Sequence, residues 1–140
     1  MGDQPGFSVY VIEIDERWWP LIGRAGEGTT RVLYVGSTDK GSEQRVAEHL
    51  EGVIEPGRIG RNSARVFKRI RSARKEQGLA GPLVAGEDAR LVPDLVEHMA
   101  TREEARAREG SLARELGRRR GVVALSDRAR RTRRRKRPSA

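Results

Sequence analysis

Residues 7–14, Phe-Ser-Val-Tyr-Val-Ile-Glu-Ile, constrain the fold of this chain more than any other stretch. In an extended chain, successive side chains point to opposite faces. Phe7, Val9 and Val11 then line one face, and Tyr10, Ile12 and Ile14 the other. A strand that is apolar on both faces must be covered on both, which predicts a central strand between two layers. A second extended run, residues 31–37, carries Val32-Leu33-Tyr34-Val35 and closes at Gly36. Residues 15–30 lie between them, with Trp18, Trp19 and Pro20 followed by Gly-Glu-Gly-Thr-Thr. This reads as a long hairpin connection with the tryptophans folded back on the sheet.

Helical signals follow. Ser42 is a suitable N-cap for a helix to about residue 51, with Val46, Leu50 and then Val53 inward and Gly52 as the stop. Asn62 is placed to cap a second helix to about residue 77, with Val66, Phe67, Ile70 and Ala73 inward and Gly78 ending it. Residues 79–93 hold two glycines and two prolines and read as a loop, and a third strand is predicted from about Asp94 to Met99. Thr101 with Glu104 is a capping box, opening a helix to about Arg119. Residues 121–125, Gly-Val-Val-Ala-Leu, are expected to pack back on the body. Strands mixed with helices in this order predict an α+β fold. A flexible N-terminus is expected at 1–6, one domain at 7–127, and a disordered basic tail at 128–140.

The formal net charge of +9 is unevenly placed. Eight of the 29 Lys and Arg residues fall between Arg128 and Arg137, and no acid follows Arg128. Setting those eight aside leaves 21 basic residues against 20 acidic ones, so the basicity belongs mostly to the tail. Like charges at that density repel unless a polyanion neutralises them. Arg131 and Arg134 in this run are therefore candidate nucleic-acid contacts, reporting phosphate affinity and no sequence preference. In the second helix region, Arg58, Arg61, Arg65, Lys68, Arg69, Arg71, Arg74 and Lys75 avoid the apolar stripe and are expected on outward faces. Arg61, Arg65, Lys68 and Arg69 are the contacts chosen from this track; the alternative is a solvated helix face. The absence of cysteine excludes disulfides and thiolate metal ligands. The N-terminal residues have no secretory pattern, and no apolar run approaches the roughly 18 residues that span a bilayer. The expectation is a soluble cytoplasmic protein, nucleoid-associated if the host is bacterial.

The helix opened at Thr101 places Ala105, Glu109, Leu112 and Leu116 on one stripe at three- and four-residue steps. A carboxylate there is costly to bury unless it is paired or metal-bound. The plain alternative is a slightly rotated helix in which Glu109 pairs with Arg106 or Arg45. Arg45 and His49, four apart, share a helix face beside the Val46/Leu50 stripe. Arginine offers a planar fork of donors for phosphate oxygens, and histidine can donate, accept or relay a proton. Alone, such a pair is usually a solvated face, and Tyr10 and Tyr34 are most simply sheet core. His98, beside Glu97 near a strand end, reads as structural.

Taken together, Val-Tyr-Val at 9–11, Leu-Tyr-Val-Gly-Ser-Thr at 33–38, Arg45-x-x-x-His49 and Glu109-x-x-Leu112 in a capped helix resemble the GIY-YIG nuclease superfamily. The resemblance runs from residue 8 to about 125, and the block from Tyr34 to His49 is its specific part. It implies a small central antiparallel three-stranded sheet flanked by helices, and an endonuclease that hydrolyses DNA phosphodiesters. It further implies one Mg²⁺ or Mn²⁺ ion on Glu109, Tyr10 and Tyr34 near the attacking water with Tyr10 as general base, Arg45 on the phosphate, and His49 hydrogen-bonded within the site. DNA is the implied partner, with RNA also compatible; specificity would come from loops, 15–30 and 79–93 being candidates, from a homodimer or from a partner protein. The chain departs from the family in three places. Ser8-Val9-Tyr10 stands where the family name has Gly-Ile-Tyr, and the connection between the tyrosine motifs is long. Many members also carry an asparagine after the glutamate helix, where this chain has Val123-Ala124-Leu125-Ser126-Asp127. Ser126 or Asp127 is the candidate substitute. The alternative reading is a catalytically silent nucleic-acid-binding module of the same fold. A third reading makes the tail a contact for an acidic protein or a targeting signal.

Overall fold

A computed structural model describes residues 6–39, 41–51, 65–79 and 81–126. Strand β1 spans Phe7–Ile14 and β2 spans Arg31–Thr38. They pair antiparallel, Tyr10 opposite Gly36 and Ile12 opposite Tyr34. Helices α1 (Ser42–Glu51), α2 (Arg65–Glu76) and α3 (Arg102–Gly117) follow, with β3 (Ala89–Leu91), β4 (Glu97–Met99) and β5 (Val122–Leu125). The sheet order is β3-β1-β2-β5, and β4 also pairs with β1.

β1 is the central strand that its two-faced apolar pattern requires. Tyr10, Ile12 and Ile14, with Val32 and Tyr34 of β2, pack under Val46 and Leu50 of α1 and Phe67 and Ile70 of α2. Val9, Val11, Leu33 and Val35 pack on the other side against Ala105, Leu112, Ala113 and Leu116 of α3. The layers separate because even- and odd-numbered side chains of each strand leave the sheet in opposite directions.

The expected three-stranded antiparallel sheet is corrected to a mixed sheet of five strands. β5 lies parallel to β2, Leu33 opposite Ala124 and Tyr34 opposite Leu125, so the segment expected to pack back does so as a strand. β3 falls within the expected loop of residues 79–93. The strand expected at 94–99 is only Glu97–Met99, preceded by a 3-10 turn at Pro93–Leu95. Strands of three residues are too short to display a period, and Pro93 cannot donate to a ladder.

Among the local signals, Thr101 and Glu104 form the full capping box. Gly78, at φ 82°, ends α2. Leu79 N donates to Arg74 O at 2.8 Å and Gly78 N to Lys75 O at 3.0 Å, the paired bonds of a Schellman cap. Residues Glu16–Leu21 of the β1–β2 connection form a 3-10 turn. Its Trp18 is buried and donates to Asp88 at 2.9 Å, and Trp19 donates to Ile14 O at 3.1 Å, so both tryptophans fold back as expected. The Asn62 cap, Gly52, Val53, the N-terminus to residue 5 and the basic tail lie outside the described residues. Among those described, no helix is long and apolar enough to cross a membrane.

Candidate active site at the end of β2

Tyr10 sits mid-β1 on the α1 side, with Gly36 directly across on β2. A Cβ at position 36 would overlap the Tyr10 hydroxyl and ring, so the glycine is what lets the ring lie across the strand. The hydroxyl then meets α1: Tyr10 Oη and His49 Nε2 are 2.6 Å apart, and Arg45 also hydrogen-bonds Tyr10. Arg45 and His49 reach the same tyrosine because four residues is close to one helical turn.

His49 is 4% exposed, its ring packed against Tyr10, Tyr34 and Phe67. Burial first, then the positive charges of Arg45 and Arg71, push the imidazole down to about 3, with Glu48 opposing. It is therefore neutral at physiological pH. The ring is a hydrogen-bond partner of Tyr10 and carries no charge of its own. An arginine can only donate, so Tyr10 Oη accepts from Arg45. The neutral imidazole is the second hydrogen-bond partner of the same hydroxyl, through Nε2.

Arg45 is held from its other side by Glu48, at 2.9 Å, with 12% and 14% of the two side chains exposed. Burial works against its charge, but the bonds to Glu48 and Tyr10 hold the guanidinium above its ordinary value. Sequence reasoning missed Glu48, although its i,i+3 spacing from Arg45 was a usable signal. Tyr34 lies two residues before Gly36 on the same face, edge-on to both His49 and Phe67.

Glu109 occupies the inward stripe of α3 with Ala105, Leu112 and Leu116, all buried. Its carboxylate belongs to the opposite layer from Tyr10, yet comes to the same end of β2. Ser37 Oγ, one residue past Gly36, donates to Glu109 Oε1 at 2.7 Å. Ser126 Oγ, just beyond β5, donates to Oε2 at 2.9 Å. Of the two candidates for the family's asparagine position, Ser126 thus stands on the glutamate, and Asp127 lies outside the described residues. Ser37 was missed as a site residue because serine after a strand glycine is commonplace.

A single carboxylate suits one ion whose remaining shell is water and substrate oxygen. Ser37 and Ser126 place one hydroxyl on each oxygen of Glu109, and a carboxylate oxygen is a ligand suited to a hard divalent ion. Among the described residues, no group of three or more His, Asp or Glu is placed to form a protein-only metal cage.

The basic track is partly corrected. Arg65, Lys68 and Arg69 are exposed on α2 as expected. Arg71 turns in and donates to His49 O at 2.6 Å. Arg74 is buried and pairs with Asp88 at 2.8 Å. Arg58, Arg61, Arg131 and Arg134 lie outside the described residues. His98, expected to be structural, is exposed on β4 and hydrogen-bonds Ser8 through Nδ1 at 3.1 Å. Compared with protein-family models, curated proteins and solved structures, the chain finds no match.

Proposed function

We propose that this chain is a metal-dependent endonuclease of the GIY-YIG type, hydrolysing phosphodiester bonds in DNA. The observation that carries the reading is the tyrosine hydroxyl gripped by His49 and Arg45 over Gly36, one residue from the serine that anchors the buried Glu109. A purely structural tyrosine needs one partner for its hydroxyl, whereas this one has a neutral imidazole and a cation together.

In this reading Tyr10 is the general base for the attacking water. A tyrosine with an ordinary pKa of about 10 is a weak base at neutral pH. Arg45 favours the phenolate by its charge, and His49 fixes the direction in which the oxygen presents itself. A guanidinium has five donors in a planar fork, so Arg45 can serve Glu48, Tyr10 and a phosphate oxygen together. Tyr34 packs edge-on against His49 on the same face of the sheet. Glu109 would hold one Mg²⁺ or Mn²⁺, which supplies polarisation of the phosphoryl oxygen and stabilisation of the leaving oxyanion. Ser37 and Ser126 orient that carboxylate, as partners outside a metal's own shell commonly do. Exposed Arg65, Lys68 and Arg69 on α2, with Arg61 and the tail arginines Arg131 and Arg134, would bind the phosphate backbone.

One observation favours a second reading, a catalytically silent nucleic-acid-binding module. Glu109 is 5% exposed and both of its oxygens already accept hydroxyls, so its burial does not require an ion. Supercoiled plasmid separates the two. The nuclease nicks or linearises it with Mg²⁺ or Mn²⁺, does nothing in EDTA, and is abolished by Glu109→Gln, which keeps its shape and its DNA binding. Folded, DNA-binding wild type that leaves the plasmid intact in every metal would establish the silent module.

A further inference from the structure

At the end of the sheet away from Glu109, the chain turns on a run of arginines. Arg118 caps α3, Arg119 and Arg120 follow, and Gly121 leads into β5. β5 starts beside the first residue of β2, Val122 opposite Arg31, whereas Glu109 meets β2 near its other end, at Ser37. From Glu109 to Arg118 the helix rises about 14 Å, so this turn is separate from the site already described. Its backbone is pinned on both sides. Arg118 N donates to Glu115 O at 3.3 Å, Arg119 N to Leu116 O at 3.1 Å, and Val122 N to Arg119 O at 3.1 Å. Gly121 O accepts from Thr30 N at 2.7 Å and from Arg31 N at 3.2 Å. Gly121 takes φ 78°, and a Cβ there would meet Thr30 Oγ1 and Gly28 O.

Arg118, Arg119 and Arg120 are exposed, and so is Arg114, one helical turn before Arg118. Among the described residues none of the four makes an ion pair. Glu115, the acid of the same turn of α3, is taken by Arg108. Glu27, on the neighbouring connection, is exposed and pairs with none of them. A cation in the last turn of a helix is explained by the macrodipole. Arg119 and Arg120 lie beyond the helix, and three adjacent like charges repel unless an anion answers them. A protein partner would want an apolar centre with aromatic or large aliphatic anchors. The residues around the turn are instead Gly28, Thr30, Gly117 and Gly121, and the exposed large hydrophobics among the described residues, Leu79 and Val84, belong to the segment after α2. Guanidinium forks around a small-residue turn suit phosphate oxygens, which a backbone can bring close.

We propose that Arg114, Arg118, Arg119 and Arg120 form a surface for the nucleic-acid phosphate backbone, distinct from the α2 track and from the tail. This rests on the nucleic-acid partner of the reading above and does not depend on cleavage. It puts an anchoring contact of the domain itself at the far end of the sheet from Glu109.

The test reads binding of the full chain to a labelled DNA duplex by anisotropy, in EDTA so that cleavage plays no part. Changing Arg118, Arg119 and Arg120 together to Ala should make the slope of log K against log salt shallower by about two to three, at about 0.9 per phosphate lost. The same three changed to Lys should keep the wild-type slope. A lysine variant as shallow as the alanine one would trace the loss to a disturbed turn and overturn the proposal. Arg120→Glu alone, beyond the helix and its cap, should also weaken binding and guards against a folding defect, which circular dichroism checks. Wild-type slope and affinity in the alanine and Arg120→Glu variants overturn the surface while leaving the nucleic-acid reading standing. If those variants instead lose binding to poly-glutamate and keep it to DNA, the surface belongs to an acidic protein and the proposal fails. Wild type that binds no duplex removes the nucleic-acid partner itself, and this surface with it.

Discussion

Gly36 shows how a single missing side chain can shape a site. Its hydrogen leaves room for the Tyr10 ring, whereas a methyl group would collide with the hydroxyl and the carbon that bears it. Gly36→Ala should therefore cost about 1–3 kcal/mol from overpacking, and should also displace Tyr10 from His49. Urea denaturation reads the first effect and plasmid cleavage the second; wild-type values in both would show that the contact tolerates a methyl. His49 makes a pH prediction with a defined sign. Its folded value, about 3, lies below the ordinary 6.5, so between these values the unfolded chain binds the extra proton. Its contribution to stability is fully present above about pH 6.5 and is lost as pH falls towards 3. Each unit of difference corresponds to about 1.4 kcal/mol, so acidification from pH 7 to 4 should destabilise wild type by a few kcal/mol. Urea midpoints of wild type and His49→Gln across that range test this, and parallel curves would sink it.

Among the elements, the connections hold more than their composition suggests. Asp88 sits fully buried in the turn before β3, an irregular segment where the sequence promises only a loop. It accepts from Trp18 at 2.9 Å, from Arg74 at 2.8 Å and from Val84 N at 2.8 Å. One carboxylate thereby ties the β1–β2 connection, α2 and the turn into β3. Asp88→Ala leaves the Arg74 guanidinium buried without its counter-charge. A loss of about 3–5 kcal/mol is expected, measured as a fall in thermal midpoint, and a change below 1 kcal/mol would mean that water replaces the carboxylate. Arg74 stands seven residues after Phe67 and four after Ile70, on the buried stripe, and was read as outward only because it is charged. Its partner lies fourteen residues away. The cap of α3 was readable because Thr101 and Glu104 satisfy each other within one turn.

For the whole molecule, the charge asymmetry makes its own prediction. Deleting residues 128–140 removes eight of the 29 basic residues and leaves the domain nearly neutral. If the tail binds phosphate, the slope of log K against log salt becomes clearly shallower, since it scales with the phosphates neutralised. An unchanged slope would assign the tail to an acidic protein or a targeting role. The sequence by itself determined the two long strands and the helix boundaries at Thr101 and Gly78. Each follows from a period or a cap spanning a few residues. Only the tertiary structure decided that β5 runs parallel to β2, that three-residue strands flank β1, and that Ser37 and Ser126 both hold Glu109. It likewise decided that His49 is neutral and that Arg74 turns inward. Strand partners and desolvation depend on which distant segments come to lie together. No local pattern of residues carries that information.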